Sequence, residues 1–382
     1  MSRILAVALF SLLARSGVRG GPAPEDFDAL ARQGISHVYN LQFEAAGEEF
    51  REMISVRPGD PAGHFFLAMI RWWMIMIDIE NEQYDREFTG ALDAVVTMCD
   101  SLLEKNPNDV NAIFFKGGAL GFEGRLKFHR SDYLGAANAA RKALPLVQAA
   151  AELDPGNNDI LLGSGIYSYY ADVIPGEYPF VKPLMLFVPP GDRQKGIRDL
   201  TAAAEKGKYA SVEAKYFLMQ IYFSYEKDFT RALALAMDLH SRFPANVVFH
   251  RYLGRTYVAL NNWDQARSVF ADIVARVQGG ARGYTPAVER EARYYCGMDA
   301  MLNRRFDGAL ENFYRCDSLS RALDKEEASG FMAMANLRIG MVYDMQGKRD
   351  LALTQYRKVK DMKNYLESRA QADQYLEAPY PR

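Results

Sequence analysis

Apolar and small residues recur every three or four positions along most of the chain, the spacing of a buried helical face. The clearest stretch is 252–273, where the pattern runs through one segment and then restarts in a second. Asn261 and Asn262 separate the segments, and Asn tolerates the backbone angles of a tight turn. This stretch therefore predicts two helices joined by a short turn. The residues that carry the pattern are Leu253, Gly254, Tyr257, Trp263, Ala266, Phe270 and Ile273.

The same pattern returns 34 residues earlier, 43 residues later, 43 residues later again, and once near the N-terminus. Self-similarity at periods of 20–50 residues indicates a repeat architecture, in which each helix pair packs on its neighbours. We therefore expect one continuous array of helix pairs. The matching small and aromatic positions are Gly34, Ala46 and Phe50; Ala232 and Ala236; Gly297, Ala309 and Phe313; and Gly340, Ala352 and Tyr356.

These positions resemble the tetratricopeptide repeat (TPR) family, whose repeat of about 34 residues has a loose W-L-G-Y-A-F-A-P pattern. The resemblance implies an all-α, right-handed α-solenoid of about eight helix pairs plus a C-terminal capping helix. It implies that Trp263 is buried in the core. It also implies a non-enzymatic scaffold that binds a protein or peptide. The markers do not identify that partner, because they are structural.

The spacing of the repeats divides the chain into four expected parts. They are a signal peptide at 1–20, lengthened TPR-like repeats at 26–210 with a proline-rich apolar insertion at 174–190, two regular repeats at 211–278, and C-terminal repeats with the capping helix at 289–378.

The N-terminal segment carries Arg3 and then an apolar run of 11 residues from Ile4 to Ala14. That length suits a signal-peptide core and is short for a membrane span. We therefore expect a periplasmic or otherwise exported protein in a bacterial cell envelope. The alternative is a cytoplasmic chain whose N-terminal helix is frayed or kept as an anchor. Whether residues 1–20 are cleaved stays open.

The insertion at 174–190 contains five prolines and is strongly apolar. Proline disfavours a long regular helix, and an apolar segment is unfavourable as an exposed linker. Two interpretations stay open. The segment is either a lid packed on its own solenoid or a contact for lipid or a partner, with Tyr178, Phe180, Leu184 and Phe187 as the contacting residues.

The insertion leads into Gly191-Asp192-Arg193, where Asp192 is a candidate N-cap. The insertion, this motif and the following repeats are similar to the inclusion-body-clearance family of eukaryotic repeat proteins, over roughly 110–270. That family is associated with mitochondrial outer membrane and lipid droplet biology. The similarity implies a shared layout and assigns no functional residue.

Two further helical stretches have unusual surfaces. The run from His64 to Ile77 is apolar almost all round, which predicts burial between repeats or a ligand-facing aromatic and methionine surface. Gly117, Gly121 and Gly124 recur on one helical face, which predicts close approach of another helix.

The first helix of each pair lines the concave face in the repeat family, and the resemblance carries this role to matching positions. An alternative stays open, in which the solenoid is tightly wound and these side chains pack on each other. The candidate peptide-binding groove consists of Phe217, Ile221, Tyr225, Arg251, Arg255, Tyr294, Met298, Met301, Met341 and Met345.

The charge of the chain limits the classes of partner that we expect. The 382 residues carry a formal charge of −2, with a pI near 6.3 and no run of five like charges. Nucleic-acid binding normally needs a clustered basic surface. We therefore expect a protein or peptide partner, no nucleic acid, and a membrane surface as the second option. The oligomeric state is not predicted.

No catalytic or metal-binding motif is present in the sequence. The five histidines are scattered, and the chain lacks the zinc-protease, nucleophile-elbow and phosphate-loop patterns. We expect no cofactor and no metal, and an enzyme with an unrecognised site stays the third alternative. Cys296 and Cys316 are either small buried residues or, in an exported chain, a disulfide.

Overall fold

The computed structural model describes residues 24–182, 189–325 and 327–381, and this part of the chain contains seventeen α-helices and no strand. Each helix packs mainly on the next one along the chain. The helices are α1 Pro24–Tyr39, α2 Phe43–Val56, α3 Pro61–Ile77, α4 Asp85–Lys105, α5 Val110–His129, α6 Tyr133–Leu153, α7 Ile160–Glu177, α8 Arg193–Lys206, α9 Ser211–Ile221, α10 Phe229–Arg242, α11 Val247–Ala259, α12 Trp263–Gln278, α13 Pro286–Leu302, α14 Phe306–Leu323, α15 Gly330–Met345, α16 Arg349–Lys360 and α17 Ser368–Glu377.

These helices form eight consecutive pairs, α1–α2 through α15–α16, and α17 packs on the last pair. The prediction of an all-α helical-repeat solenoid with about eight pairs and a capping helix is confirmed. The residues at 1–20, where a signal peptide is predicted, lie outside the described part of the chain.

A glycine on the first helix faces an aromatic ring on the second in four of the pairs. A Cβ placed on Gly254 would lie 2.7 Å from the Phe270 ring, so no side chain fits there. The aromatic ring fills the space that the missing side chain leaves, which holds the two helices close. The other glycine–ring pairs are Gly34 with Phe50, Gly297 with Phe313, and Gly340 with Tyr356.

The predicted turn between α11 and α12 is confirmed. Asn261 has a positive φ of 55°, and the side chain of Asn262 accepts a hydrogen bond from the backbone of Gln265. The prediction that Trp263 is a buried core residue is wrong. Its side chain is half-buried and donates to Asn261 Oδ1 at 2.8 Å. The helix pair keeps its geometry because Ala266 and Phe270 supply the buried contacts.

The chain returns on itself after five pairs, because α1 contacts the fifth and sixth pairs. The Tyr39 hydroxyl donates to Glu213 on α9 at 2.9 Å, and Asn246 donates to the Tyr39 carbonyl at 2.9 Å. The Tyr39 ring also lies 5.3 Å from Phe243, between ring centroids. Pairs one to five therefore form a closed turn rather than an open arc, which supports the tightly wound interpretation for this half.

The Gly191-Asp192-Arg193 motif has structural roles. The backbone N–H of Asp192 donates to Ser168 on α7 at 2.9 Å, and its side chain caps α8, as predicted. A Cβ on Gly191 would overlap the backbone of α7, so glycine is required for this approach. Arg193 pairs with Glu226 beside the fifth pair.

The three cysteines carry free thiols, so Cys296 and Cys316 are not paired. Burial raises the pKa of Cys316 to about 12 and that of Cys296 to about 11. Across the described ranges, no helix combines the length and apolarity needed to cross a membrane.

Candidate ligand cavity and inner surface

A cavity of about 530 Å³ lies inside the closed turn. Its wall comes mainly from α1, α3, α5, α7 and α9, the first helices of the five pairs, together with α6. Protein interiors contain few voids larger than a water molecule, whereas ligand pockets measure about 300–1,000 Å³. The inward-facing surface of this half is therefore a candidate binding site.

Aromatic side chains dominate the wall. Phe65, Phe66 and Trp73 on α3 line the cavity and are otherwise buried. Phe65 and Phe115 on α5 lie 5.3 Å apart between ring centroids. The apolar run on α3 is thus buried between repeats, as predicted, and part of it lines the cavity, whereas its role as a ligand-facing surface stays a prediction.

The glycines of α5 have two different roles. Gly117 and Gly124 lie against α6, as predicted, since added Cβ atoms would lie 3.3 Å from Leu146 and 3.2 Å from Ala139. Gly121 lines the cavity, and a Cβ there would meet nothing within 4 Å. The missing side chain at Gly121 therefore adds open volume to the cavity.

A small polar cluster interrupts the apolar wall. Arg125 Nη1 donates to Glu213 Oε1 at 2.8 Å, and Glu213 also accepts from Tyr39. The Arg125 guanidinium lies 4.3 Å from the centroid of the Phe217 ring and 4.7 Å from that of Trp72. In the part of the chain that the structure covers, Glu213 is the one residue that accepts a hydrogen bond from Arg125. The other N–H groups of Arg125 lie at the cavity wall and have no acceptor among these residues.

The beginning of the proline-rich insertion borders the cavity. α7 continues through Pro175 to Glu177, and a short 3₁₀ helix follows at Pro179–Val181. Ile174 and Val181 line the cavity. This placement supports the lid interpretation for 174–182.

The predicted contact residues of this insertion lie in different places. Tyr178 packs on Phe128, with ring centroids 6.0 Å apart, and Phe180 packs on Tyr133 at 5.1 Å. Phe180 is nevertheless 58% exposed. Leu184 and Phe187 lie outside the described residues.

The predicted groove residues lie in three kinds of surroundings. Phe217 and Tyr225 line the cavity of the N-terminal half. Ile221, Met301 and Met341 are buried, with at most 5% of each exposed, so they belong to the core. Met345 is half-buried and packs against the core of the last two pairs.

Arg251 and Arg255 both bind one buried carboxylate, Glu291. Arg251 Nε and Nη2 donate to Glu291 Oε2 at 2.8 and 2.6 Å, and Arg255 Nη2 donates to the same oxygen at 2.8 Å. Burial alone would raise the pKa of Glu291, but the two guanidinium groups hold it at about 2. Two positive charges on one negative charge leave a net charge of +1. We call Arg251, Arg255, Glu291, Tyr294 and Met298 the α11–α13 face.

Tyr294 and Met298 belong to this face because they follow Glu291 by three and seven residues on α13, the spacing of one helical face. Both side chains are half-buried. The Tyr294 ring lies 5.7 Å from that of Phe331 between centroids. The α11–α13 face therefore combines two arginine side chains with an aromatic ring and a thioether group.

Sequence reasoning missed Arg125 and Glu213, and its prediction that a helix packs closely against Gly121 is wrong, because a Cβ there would meet nothing within 4 Å. An arginine inside the glycine-rich apolar pattern of α5 was the available signal.

Within the described ranges, no three His, Cys, Asp or Glu side chains are grouped to hold a metal ion. His240 and His250 stack at 4.3 Å between ring centroids, and burial is the main cause that lowers the pKa of His250, to about 3.

The arrangement of helix pairs defines a helical-repeat solenoid, a class whose extended inner surfaces bind partners. Residues 224–285 match the family model of the tetratricopeptide repeat. The predicted resemblance to this family is thereby confirmed. Such repeats generally mediate protein interactions, and the fold typically serves as a non-enzymatic scaffold. The likeness to the inclusion-body-clearance family stays a prediction. No curated protein matches the chain.

Several solved structures are similar in fold. A crystal structure of MamA is 20% identical, with a TM-score of 0.31, and the alignment covers 40% of this chain and 86% of MamA. A human IFIT1 dimer with m7Gppp-AAAA is 12% identical, with a TM-score of 0.43 and coverage of 93% and 85%. The C-terminal part of a TPR repeat-containing protein from Cytophaga hutchinsonii is 16% identical, with a TM-score of 0.35 and coverage of 77% and 96%.

Proposed function

We propose that this chain is a non-enzymatic scaffold that binds an acidic, partly apolar segment of a protein partner on the α11–α13 face. The observation that carries the proposal is the pair of guanidinium groups on Glu291. Among the described residues, neither Nη1 atom of Arg251 or Arg255 has an acceptor, and about a quarter of each side chain is exposed, 26% and 28%. A partner carboxylate would gain charge-assisted hydrogen bonds there.

The flanking side chains suit the same partner. Arg, Met and aromatic residues are enriched in protein interfaces. Tyr294 and Met298 offer apolar contact next to the charge, and methionine adapts to differently shaped partners. A segment with a carboxylate beside an apolar side chain would match this order along α13.

The test is a pull-down from the native host with the full chain as bait, followed by mass spectrometry. Arg251→Gln removes one charge and keeps a hydrogen-bonding group, whereas charge reversal would place a second carboxylate beside buried Glu291. We expect Arg251→Gln and Tyr294→Ala to lose the same recurrent partner. Arg267→Gln is the matched control, because Arg267 pairs with exposed Asp264 at 3.6 Å on α12. A partner retained by all three variants would contradict the proposal.

We also propose that the scaffold works in an exported compartment of a bacterium. Arg3 and the apolar run from Ile4 to Ala14 support this proposal. Cell fractionation with mass measurement of the mature chain tests it. A cytoplasmic chain of full mass would contradict it.

A second candidate function is contact with lipid through 174–190, which the 58% exposure of Phe180 favours. Co-sedimentation with anionic and neutral vesicles tests this candidate. We expect Phe180→Ser, alone and combined with Leu184→Ser and Phe187→Ser, to weaken sedimentation. Leu366→Ser is the control, because Leu366 is 81% exposed elsewhere on the surface. Equal sedimentation of all variants would exclude this role.

A further inference from the structure

We propose that the cavity in the closed turn binds an uncharged, chain-like apolar small molecule that carries a carbonyl-type hydrogen-bond acceptor, and that Arg125 holds this acceptor. The inference goes beyond the proposed function, because the α11–α13 face lies on other helices and takes a protein partner.

The size of the cavity favours a small molecule over a polypeptide. Helices from all five pairs surround its volume of about 530 Å³. The turn is closed by Tyr39, which contacts both Glu213 and Asn246. A volume of this size lies within the range of small-molecule pockets, about 300–1,000 Å³.

Gly121 on α5 leaves part of the cavity open, although glycine is an unfavourable residue inside a helix. Glycine in a helix interior is less favourable than alanine or leucine. At Gly121 no neighbouring helix requires glycine, since an added Cβ would meet nothing within 4 Å. Gly121 lies one turn before Arg125, so both face the same side of α5. The open volume thus lies beside the one cationic group of the described wall.

The charges on the wall argue against an anionic ligand. The described wall carries Arg125, Glu213 and Asp159 as its charged groups. Asp159 accepts backbone hydrogen bonds from Tyr209 and Ala210, both at 3.0 Å, so it is already satisfied. One positive and two negative groups give a net charge of −1. His129 adds no positive charge near pH 7, because burial lowers its pKa to about 4.

A neutral acceptor fits the polar cluster. Glu213 neutralises the charge of Arg125 and occupies Nη1. The other guanidinium N–H groups have no acceptor among the residues that the structure describes, so they are available to a ligand at the cavity wall. A carbonyl oxygen would satisfy such a donor without adding a charge. The remaining wall is aromatic and aliphatic, which suits a hydrocarbon chain.

Intrinsic fluorescence of the full chain tests the proposal. The chain has three tryptophans, and Trp263→Phe leaves Trp72 and Trp73, of which Trp73 lines the cavity. The probes are saturated fatty acid methyl esters of increasing length, the free acids and alkanes of the same length. We expect saturable binding of the esters, with affinity rising about fourfold per added methylene until the cavity is full. Esters should bind at least about tenfold more tightly than alkanes, the range of a hydrogen bond to a charged group.

Two matched variants locate the ligand. Gly121→Leu fills the cavity and should weaken ester binding by about tenfold or more, with unchanged thermal unfolding or a higher midpoint. Gly90→Leu makes the same change at an exposed site on α4, where a Cβ also meets nothing within 4 Å, and should bind as the parent chain does. Arg125→Lys keeps the charge opposite Glu213 and should reduce ester affinity to that of the alkane.

Several outcomes would overturn the proposal. Ester affinity unchanged by Gly121→Leu would place the probe outside the cavity. Tighter binding of the free acid than of the ester would reject an uncharged ligand. Equal affinity for ester and alkane in the parent chain would reject the role of Arg125, and this comparison stands even if Arg125→Lys does not fold. Binding of an apolar peptide in preference to every ester would show that the cavity serves a polypeptide.

Discussion

The closed N-terminal turn and the three C-terminal pairs use the same helix-pair unit and fill their inner surfaces differently. The N-terminal turn is lined by aromatic rings around an open volume, with one ion pair, Arg125–Glu213, in its wall. In the C-terminal pairs, buried carboxylates that bind arginines are more frequent. Examples are Glu291 with Arg251 and Arg255, and Asp344 with Arg349 at 2.9 Å.

The difference follows from how each kind of surface tolerates empty space. A buried ion pair needs close geometry, because desolvated charges are stabilised only by well-placed partners. Apolar walls lose only dispersion contacts when a gap opens. A cavity is therefore compatible with the N-terminal lining, and the charged lining of the C-terminal half requires filled, fixed contacts. The comparison predicts different responses to the same kinds of substitution.

The largest expected effect is that of removing Glu291. Glu291→Ala leaves two arginines without their acceptor and should lower the free energy of unfolding by about 3–5 kcal/mol. The control is Glu87→Ala on α4, outside the cavity wall, where Glu87 is 55% exposed and pairs with Arg71 at 2.6 Å. An exposed pair contributes about 1 kcal/mol or less. Urea unfolding measures both, and equal losses would contradict the comparison.

Acid should weaken the C-terminal half through the same carboxylate. The folded pKa of Glu291 is about 2, below its usual value of 4.5, so its contribution is present above pH 4.5 and is lost as the pH falls towards 2. At about 1.4 kcal/mol per pKa unit, the loss approaches about 3 kcal/mol. Glu291→Gln should flatten this part of the profile. An unchanged slope between pH 5 and pH 2 would show that Glu291 is not the titrating group.

Substitution of two methionines compares the packed C-terminal core with the cavity wall of the N-terminal turn. Met341 on α15 is 1% exposed, whereas Met69 on α3 lines the cavity and is half-buried. Met341→Ala should cost about 2–5 kcal/mol, because it creates a new void in a packed core. Met69→Ala only enlarges an existing cavity and should cost about 1 kcal/mol. Thermal or urea unfolding measures the difference, and a larger loss for Met69→Ala would refute it.

The smallest expected effects have opposite signs. Gly121→Ala should raise the free energy of unfolding by about 1 kcal/mol, because the helix gains a better residue and the Cβ meets open space. Gly254→Ala should lower it by about 1–3 kcal/mol, since its Cβ would lie 2.7 Å from the Phe270 ring. Stabilisation by both substitutions would show that neither glycine is fixed by its surroundings.

The sequence predicted the helix pairs well because their markers act locally. Gly254 and Phe270 are 16 residues apart and touch within one pair, so each copy of the pattern reports its own packing. The prediction for Trp263 was wrong because the resemblance placed this residue in the core. Ala266 and Phe270 already fill the space between the two helices.

The cavity was not predictable in the same way. Arg125 and Glu213 are 88 residues apart in sequence, and their meeting depends on how far the whole solenoid turns. The curvature of five pairs is a sum of small angles that no single motif specifies. For the same reason, the sequence could not show that Phe217 and Tyr225 line one cavity, or that Arg251 and Arg255 share Glu291.

Closure of the N-terminal turn has a consequence for how the chain folds. Solenoids usually fold by propagation, because each repeat meets only its neighbours and the chain behaves almost one-dimensionally. Here Tyr39 and Asn246 bond across 207 residues of sequence. Contacts of such separation raise the contact order and slow folding, since a long loop must close before they form. The first six pairs are thus expected to fold together as one cooperative unit, because α1 contacts the fifth and sixth pairs, and the last two pairs are expected to add to it by nearest-neighbour growth.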